Sequence, residues 1–344
     1  MIRVLVVDDS ALVRKILSQE LEKFGDIEVV GGAVDPYVAR DKIFRLKPDV
    51  ITLDLEMPRM DGLTFLARLM KYFPIPVVVV SSVAAENSGN ALRALSLGAV
   101  EVIQKPGTAM STPDIARELV RAIRTAHGAR VHRQEDVADA VAEAAGPLAT
   151  THKVLALGAS TGGTQAIERL IQALPAELPG MVVVQHMPAQ FTATFAQRLD
   201  TLGRLRVKEA ADRDQVLPGR VLIAPGGYHL VLERSGAFYS VRVTGGEPQH
   251  HQKPAVDVLF ESVAHHAGPN AVGVLLTGMG ADGAKGLLSM RGQGAWTLAQ
   301  DEASSVVWGM PGEAVKMGAA CEVVPLGAMA RAMVNALERQ GQGS

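Results

Sequence analysis

At 344 residues the chain is too long for one ordinary core and suits two domains. Its 34 basic and 36 acidic residues leave a formal charge of -2 without any long block of like charge, which excludes the footprint of a nucleic-acid or anionic-membrane binder. The single cysteine, Cys321, excludes an intramolecular disulfide. The apolar opening meets Asp8-Asp9 too soon for a signal-peptide core, and no apolar run approaches the roughly 18 residues that a membrane span needs, so a reducing cytoplasm is the expected setting.

Along the first third, short β-branched runs alternate with helical patterns. Strands are expected at residues 4–7, 29–33, 50–53, 77–80 and 100–103, and amphipathic helices near 12–23, 38–46, 62–72, 90–97 and 114–126. Strands that are apolar throughout predict a parallel sheet buried on both faces, with ligands beyond its carboxyl edge. Residues 1–125 thus read as one domain. Residues 126–151 lose the strand signal to Ala and charged residues and read as a linker, helical in part at most. Over residues 152–344 the alternation resumes, with strands expected at 154–157, 181–184, 221–223, 272–276 and 296–299. The stretch from Tyr228 to Val243 alternates more strictly and reads as an inserted antiparallel hairpin. The fold class is α/β: an N-terminal (βα)5 domain of flavodoxin-like order, then a doubly wound, mostly parallel domain carrying that hairpin.

Asp8 and Asp9 follow the first strand, Asp54 ends the third, Ser81 the fourth and Lys105 the fifth. A parallel sheet brings all these ends to one edge. A lone Asp at a strand end is usually just solvated, but three gathered carboxylates repel one another and suit a hard, oxygen-seeking ion such as Mg²⁺. The ion would offset the charge of a phosphoryl group on one of them, with the lysine and the hydroxyl contacting that group. On these residues the domain resembles two-component receivers. The resemblance makes Asp54, in Leu53-Asp54-Leu55-Glu56-Met57-Pro58, the phosphoacceptor, and gives Asp8 and Asp9 with Asp54 to the metal. Ser81 and Lys105 match the switch hydroxyl and the phosphate-contacting lysine. Val102 stands where receivers often carry an aromatic, so no aromatic ring is there to rotate.

In the second domain, Gly158-Ala159-Ser160-Thr161-Gly162-Gly163 follows an apolar strand and precedes a helical pattern. A turn of this kind lifts a serine hydroxyl out of a sheet, with helix-terminal amides aimed at the site. A nucleophilic serine needs a base within reach and a carboxylate to hold the base's tautomer. His186, in Gln185-His186-Met187-Pro188, and Asp282, in Thr277-Gly278-Met279-Gly280-Ala281-Asp282-Gly283, both follow strands and are the best candidates. The order Ser, His, Asp differs from that of α/β-hydrolases. A dinucleotide-binding reading competes for the glycine-rich turn, although its spacing is not Gly-x-Gly-x-x-Gly and no acidic residue ends the next strand. The loop around Asp282 lacks the Gly-Lys-Ser/Thr ending of a P-loop. His250, His251, His265 and His266 show no metal-ligand partner set in the sequence and read as surface or core residues.

Receiver, linker and second domain together resemble the chemotaxis receptor methylesterases, on the segments just quoted and on Ala224-Pro225-Gly226-Gly227-Tyr228-His229 and Pro254-Ala255-Val256-Asp257-Val258-Leu259-Phe260. The resemblance implies hydrolysis of glutamyl γ-methyl esters on the cytoplasmic domains of chemoreceptors, with deamidation of receptor glutamines as a second activity. It implies Ser160, His186 and Asp282 as the triad, backbone amides near Thr161 and Met279 as oxyanion donors, and a chemotaxis histidine kinase as phosphodonor. Mg²⁺ is expected for receiver phosphorylation, and no cofactor for the ester chemistry. Neither nucleic acid nor direct membrane insertion is expected. A different reading, a second domain that only binds a partner, is separated from this one by an assay for methanol release.

Overall fold

The computed structural model describes residues 1–57, 59–81, 88–105, 112–131 and 152–342. The chain divides into two compact units, Met1–Asp136 and Val137–Ser344.

The first unit runs β1 (Ile2–Val7), α1 (Ala11–Leu21), β2 (Ile27–Ala33), α2 (Pro36–Leu46), β3 (Val50–Leu53), α3 (Gly62–Tyr72), β4 (Val77–Ser81), α4 (Ser88–Ser96), β5 (Glu101–Gln104) and α5 (Thr112–His127). Its five parallel strands lie in the order β2-β1-β3-β4-β5. Because successive strand residues point to opposite faces, the continuous apolar runs feed two cores at once. Leu5, Val7, Ile51, Leu53, Val77 and Val79 pack on one side with Ile43, Leu66 and Leu69. Val4, Val6, Val50, Val78 and Val80 pack on the other with Leu17, Leu119 and Ile123. Helix starts follow local chemistry: the Asp35 carboxylate accepts from the Tyr37 and Val38 amides ahead of Pro36, and the Asp61 carboxylate accepts from Thr64 N.

The second unit runs β6 (Val154–Ala159), α6 (Gly163–Ala173), β7 (Gly180–Gln185), α7 (Ala189–Asp200), β8 (Arg206–Glu209), β9 (Arg220–Ile223), β10 (His229–Ser235), β11 (Phe238–Thr244), α8 (Val256–His266), β12 (Ala271–Leu275), α9 (Ala284–Gly292), β13 (Trp296–Gln300), α10 (Met310–Lys316), β14 (Glu322–Val324) and α11 (Leu326–Gln342). A seven-stranded parallel sheet has the order β14-β13-β12-β6-β7-β9-β8. β10 and β11 form the antiparallel hairpin, and its inward residues Leu230, Leu232 and Val241 join Val182, Val184 and Phe260 in one core. The sheet has two more strands than the sequence pattern predicts, β8 and β14, one at each edge. α5 ends at His127, and residues 132–151, most of the stretch read as a linker, lie outside the described residues.

In both sheets the order of strand addition reverses beside the first strand, between β1 and β3 in one and between β6 and β12 in the other. The crevice beyond the strand ends at such a reversal is where open α/β sheets bind ligands.

Candidate active site

At the first reversal, Asp8 and Asp54 leave the ends of β1 and β3 and are both about 1% exposed, while Asp9 beside them is exposed. Lys105 Nζ lies 2.9 Å from Asp8 Oδ2 and 2.7 Å from Asp54 Oδ2. Asp54 Oδ1 accepts from Glu56 N at 3.2 Å, and Asp8 Oδ1 from Ser10 N at 2.9 Å. Burial pushes the Asp54 carboxyl above its ordinary range, and the Lys105 ammonium only partly offsets this. Burial works against the charge of Lys105 too, but its bonds to Asp54 and Asp8 outweigh that and hold its pKa above the usual value. Ser81, the last residue of β4, is buried, and its carbonyl accepts from Lys105 N at 2.9 Å. Val102 packs against the core. One carboxylate oxygen from each of Asp8, Asp9 and Asp54 falls within 4.8 Å of the others, an all-oxygen set that fits Mg²⁺.

At the second reversal, Ser160 follows β6, His186 follows β7 and Asp282 lies in the turn after β12. The structure brings the three together. His186 Nδ1 lies 3.1 Å from Ser160 Oγ, and His186 Nε2 lies 2.7 Å from Asp282 Oδ2. A carboxylate only accepts, so Nε2 carries the proton of the neutral ring and Nδ1 presents its lone pair to the serine hydroxyl. The side chains of His186 and Asp282 are 6% and 3% exposed, while Ser160 is half-buried and reachable.

The N-terminus of α8 holds Asp282. Val256 N donates to Oδ2 at 2.7 Å and Asp257 N to Oδ1 at 2.9 Å. Burial acts to raise this carboxyl, but the His186 imidazole and these two amides outweigh it and hold the pKa below the ordinary range.

The turns after β6 and β12 are tied together. Ser160 N donates to Thr277 O at 3.0 Å, and Thr277 Oγ1 donates to Thr161 O at 2.9 Å. A Cβ on Gly278 would come within 2.7 Å of Ser160 Cβ, so glycine allows the close approach that puts Met279 beside the serine turn. Gly162 (φ 78°) and Gly283 (φ 86°) supply left-handed backbone where α6 and α9 begin. Met279 is half exposed beside this turn.

Two features escape the sequence reading. Asp257 is buried and accepts from Gly286 N at 2.7 Å, which pins α9 to α8. His250 has partners after all: Nε2 lies 2.8 Å from Asp257 Oδ2, and ligand atoms of His250, Asp257 and Asp282 fall within 4.8 Å of one another. Its separation from Asp282 in the chain hides this grouping. His265 and His266 form an edge-to-face pair instead. Among the described residues, no helix is long and apolar enough to cross a membrane.

An acidic strand-end pocket with its lysine, followed by an α/β domain carrying a Ser-His-Asp contact chain, defines a response regulator with an enzyme-like output domain. Residues 4–117 match the response regulator receiver domain and residues 155–333 match the CheB methylesterase family. The protein-glutamate methylesterase/protein-glutamine glutaminase 2 of Syntrophus aciditrophicus is 56% identical over 97% of this chain and 98% of its own length. The protein-glutamate methylesterase/protein-glutamine glutaminase of Salmonella typhimurium is 50% identical over 97% of this chain and 96% of its own. The catalytic domain of the Thermotoga maritima CheB methylesterase, a crystal structure, superposes on 54% of this chain and 99% of that one, with 35% identity and a TM-score of 0.53. The chain belongs to the CheB methylesterase family.

Proposed function

We propose that the chain is a phosphorylation-activated serine hydrolase that removes methyl groups from glutamyl γ-methyl esters on the cytoplasmic domains of chemoreceptors and deamidates receptor glutamines. The observation that carries this reading is the unbroken contact chain from Ser160 Oγ through His186 to Asp282. Such a chain activates a hydroxyl at neutral pH.

His186 Nδ1 takes the Ser160 proton as Oγ attacks the ester carbonyl. Asp282, fixed by two backbone amides, orients the ring and stabilises its charged form. The oxyanion meets backbone amides near Thr161 and Met279, and each such donor is typically worth about 3 kcal/mol. Collapse of the intermediate expels methanol, protonated by His186, and leaves a glutamyl ester on Ser160. Water then attacks with His186 again as base, releasing glutamate and the free serine. With a glutamine substrate the first leaving group is ammonia.

In the receiver, Asp54 takes the phosphoryl group from a chemotaxis histidine kinase, and Lys105 and Ser81 contact it. Asp8, Asp9 and Asp54 would hold Mg²⁺, which would offset the charge on the phosphoryl oxygens. The working division is a receiver over residues 1–125, a linker over 126–151 and the catalytic domain over 152–344, acting in the cytoplasm.

Methanol release from methylated receptor, measured with and without a small-molecule phosphodonor, tests the reading. Release that rises with phosphodonor and vanishes in Ser160→Ala is the expected result. Substantial release by Ser160→Ala overturns the serine mechanism, and a rate indifferent to phosphodonor overturns the control.

A further inference from the structure

Gln185 ends β7 with its side chain buried, and it takes no part in the chemistry above. Its Nε2 donates to two backbone carbonyls, Ser160 O at 3.0 Å and His186 O at 3.1 Å. Those carbonyls belong to the two residues whose side chains meet as Oγ and Nδ1. The same junction is closed by His186 N donating to Ala159 O at 3.1 Å, and Gly163 N donates to Ser160 O at 2.7 Å. In the strand register Gln185 faces Ala159 directly.

The other face of the amide lies on Gly163. A Cβ at that position would overlap Gln185 Oε1 and approach Ala159 Cβ to 2.6 Å, so the glycine makes room for this side chain. Oε1 itself is buried and has no hydrogen-bond partner among the described residues. Leaving an amide oxygen unpaired in the interior is unfavourable, and a methionine of similar length would fill the slot without that cost. Packing therefore does not account for an amide here, whereas the bridging nitrogen does.

We propose that Gln185 is a positioning residue: its Nε2 bridges the roots of the Ser160 and His186 turns and so sets the Oγ to Nδ1 separation on which proton transfer depends. The inference rests on Ser160 and His186 acting as nucleophile and base. A nucleophile and base displaced by a fraction of an ångström lose transition-state stabilisation rather than ground-state binding, because their separation matters at proton transfer.

The test replaces Gln185 in the full chain with Met, which keeps length and removes the donor, and with Glu, which turns an acceptor toward the two carbonyls. Methanol release from methylated receptor gives kcat and KM, each rate normalised to the fraction of serine labelled to completion by a fluorophosphonate. In Gln185→Met, kcat per labelled serine falls by roughly 10- to 100-fold while KM stays within about twofold, and the labelling rate constant falls in parallel. Gln185→Glu is the more impaired of the two. Gly163→Ala, which drives Oε1 from its place, reproduces the kcat loss. Wild-type kcat per labelled serine in Gln185→Met, or a loss confined to the labelled fraction, overturns the proposal while an inactive Ser160→Ala leaves the serine mechanism standing. Methanol release by Ser160→Ala removes both.

Discussion

At the end of β3, Asp54 is buried beside Asp8 with one lysine shared between them, and its carboxyl is driven up. In the turn after β12, Asp282 is buried to a similar depth, and its carboxyl is driven down. Both stand beyond the strand ends where the order of strand addition reverses, so architecture does not separate them. The number of donors does. Among the described residues, Asp54 has one backbone amide and a lysine shared with Asp8, whereas Asp282 has two backbone amides and an imidazole. The first carboxylate is under-solvated by the protein and suits a cation or a covalent phosphoryl group. The second is held by two backbone amides and an imidazole and suits a role in which it stays ionised and still.

The largest expected effect falls on the proposed nucleophile: Ser160→Ala loses at least about 10⁴-fold in kcat for methanol release, while phosphodonor labelling of Asp54 is unchanged. Loss of both activities together would mean that the two sites are not chemically separate. Asp282→Asn comes next. An amide in place of the carboxylate no longer enforces the Nε2–H tautomer, and kcat should drop by about 10²- to 10⁴-fold. Full activity in that variant would leave His186 without need of an acid partner.

Smaller effects belong to the receiver. Asp54→Ala should keep the basal rate and lose only the phosphodonor response, a coupling that typically spans about 5- to 150-fold. Chelation by EDTA should do the same to the wild-type chain. A basal rate that fell with chelation would place a metal dependence in the second site and erase the contrast.

The least effect is on stability. The folded pKa of Asp282 lies below its ordinary 3.8. Its carboxylate therefore contributes stability that is complete well above that value and is lost as pH falls through the lower, folded value. Asp282→Asn should flatten that acid limb of an unfolding curve followed by circular dichroism. An unchanged limb would show that the native amides do not distinguish carboxylate from amide.

Much of this was legible in the sequence because both sheets are parallel and buried on both faces, so their central strands appear as uninterrupted β-branched runs. The edge strands were not. β8 is Arg-Val-Lys-Glu with Arg206 and Lys208 exposed, and β14 has three residues with Val323 exposed, so neither has the apolar length that marks a strand. Asp8, Asp54, Ser160 and His186 were readable because residue type and strand end coincide. Gln185 was not, since an amide ahead of the histidine carries no chemical signal until its two carbonyl partners are in place. Asp257 and His250 were hidden for the same reason: their meaning lies in contacts to Gly286 and to each other that no local pattern announces.

The grip of α8 on Asp282 has a consequence for how this family can vary. The donors are peptide nitrogens of Val256 and Asp257, and every residue except proline supplies one. Replacing the Val256 side chain alters how it fills the space against Gly158 and Gly283, yet the carboxylate keeps its partner. Drift at that position is therefore judged by shape alone, while the acid's orientation is inherited through the course of the main chain.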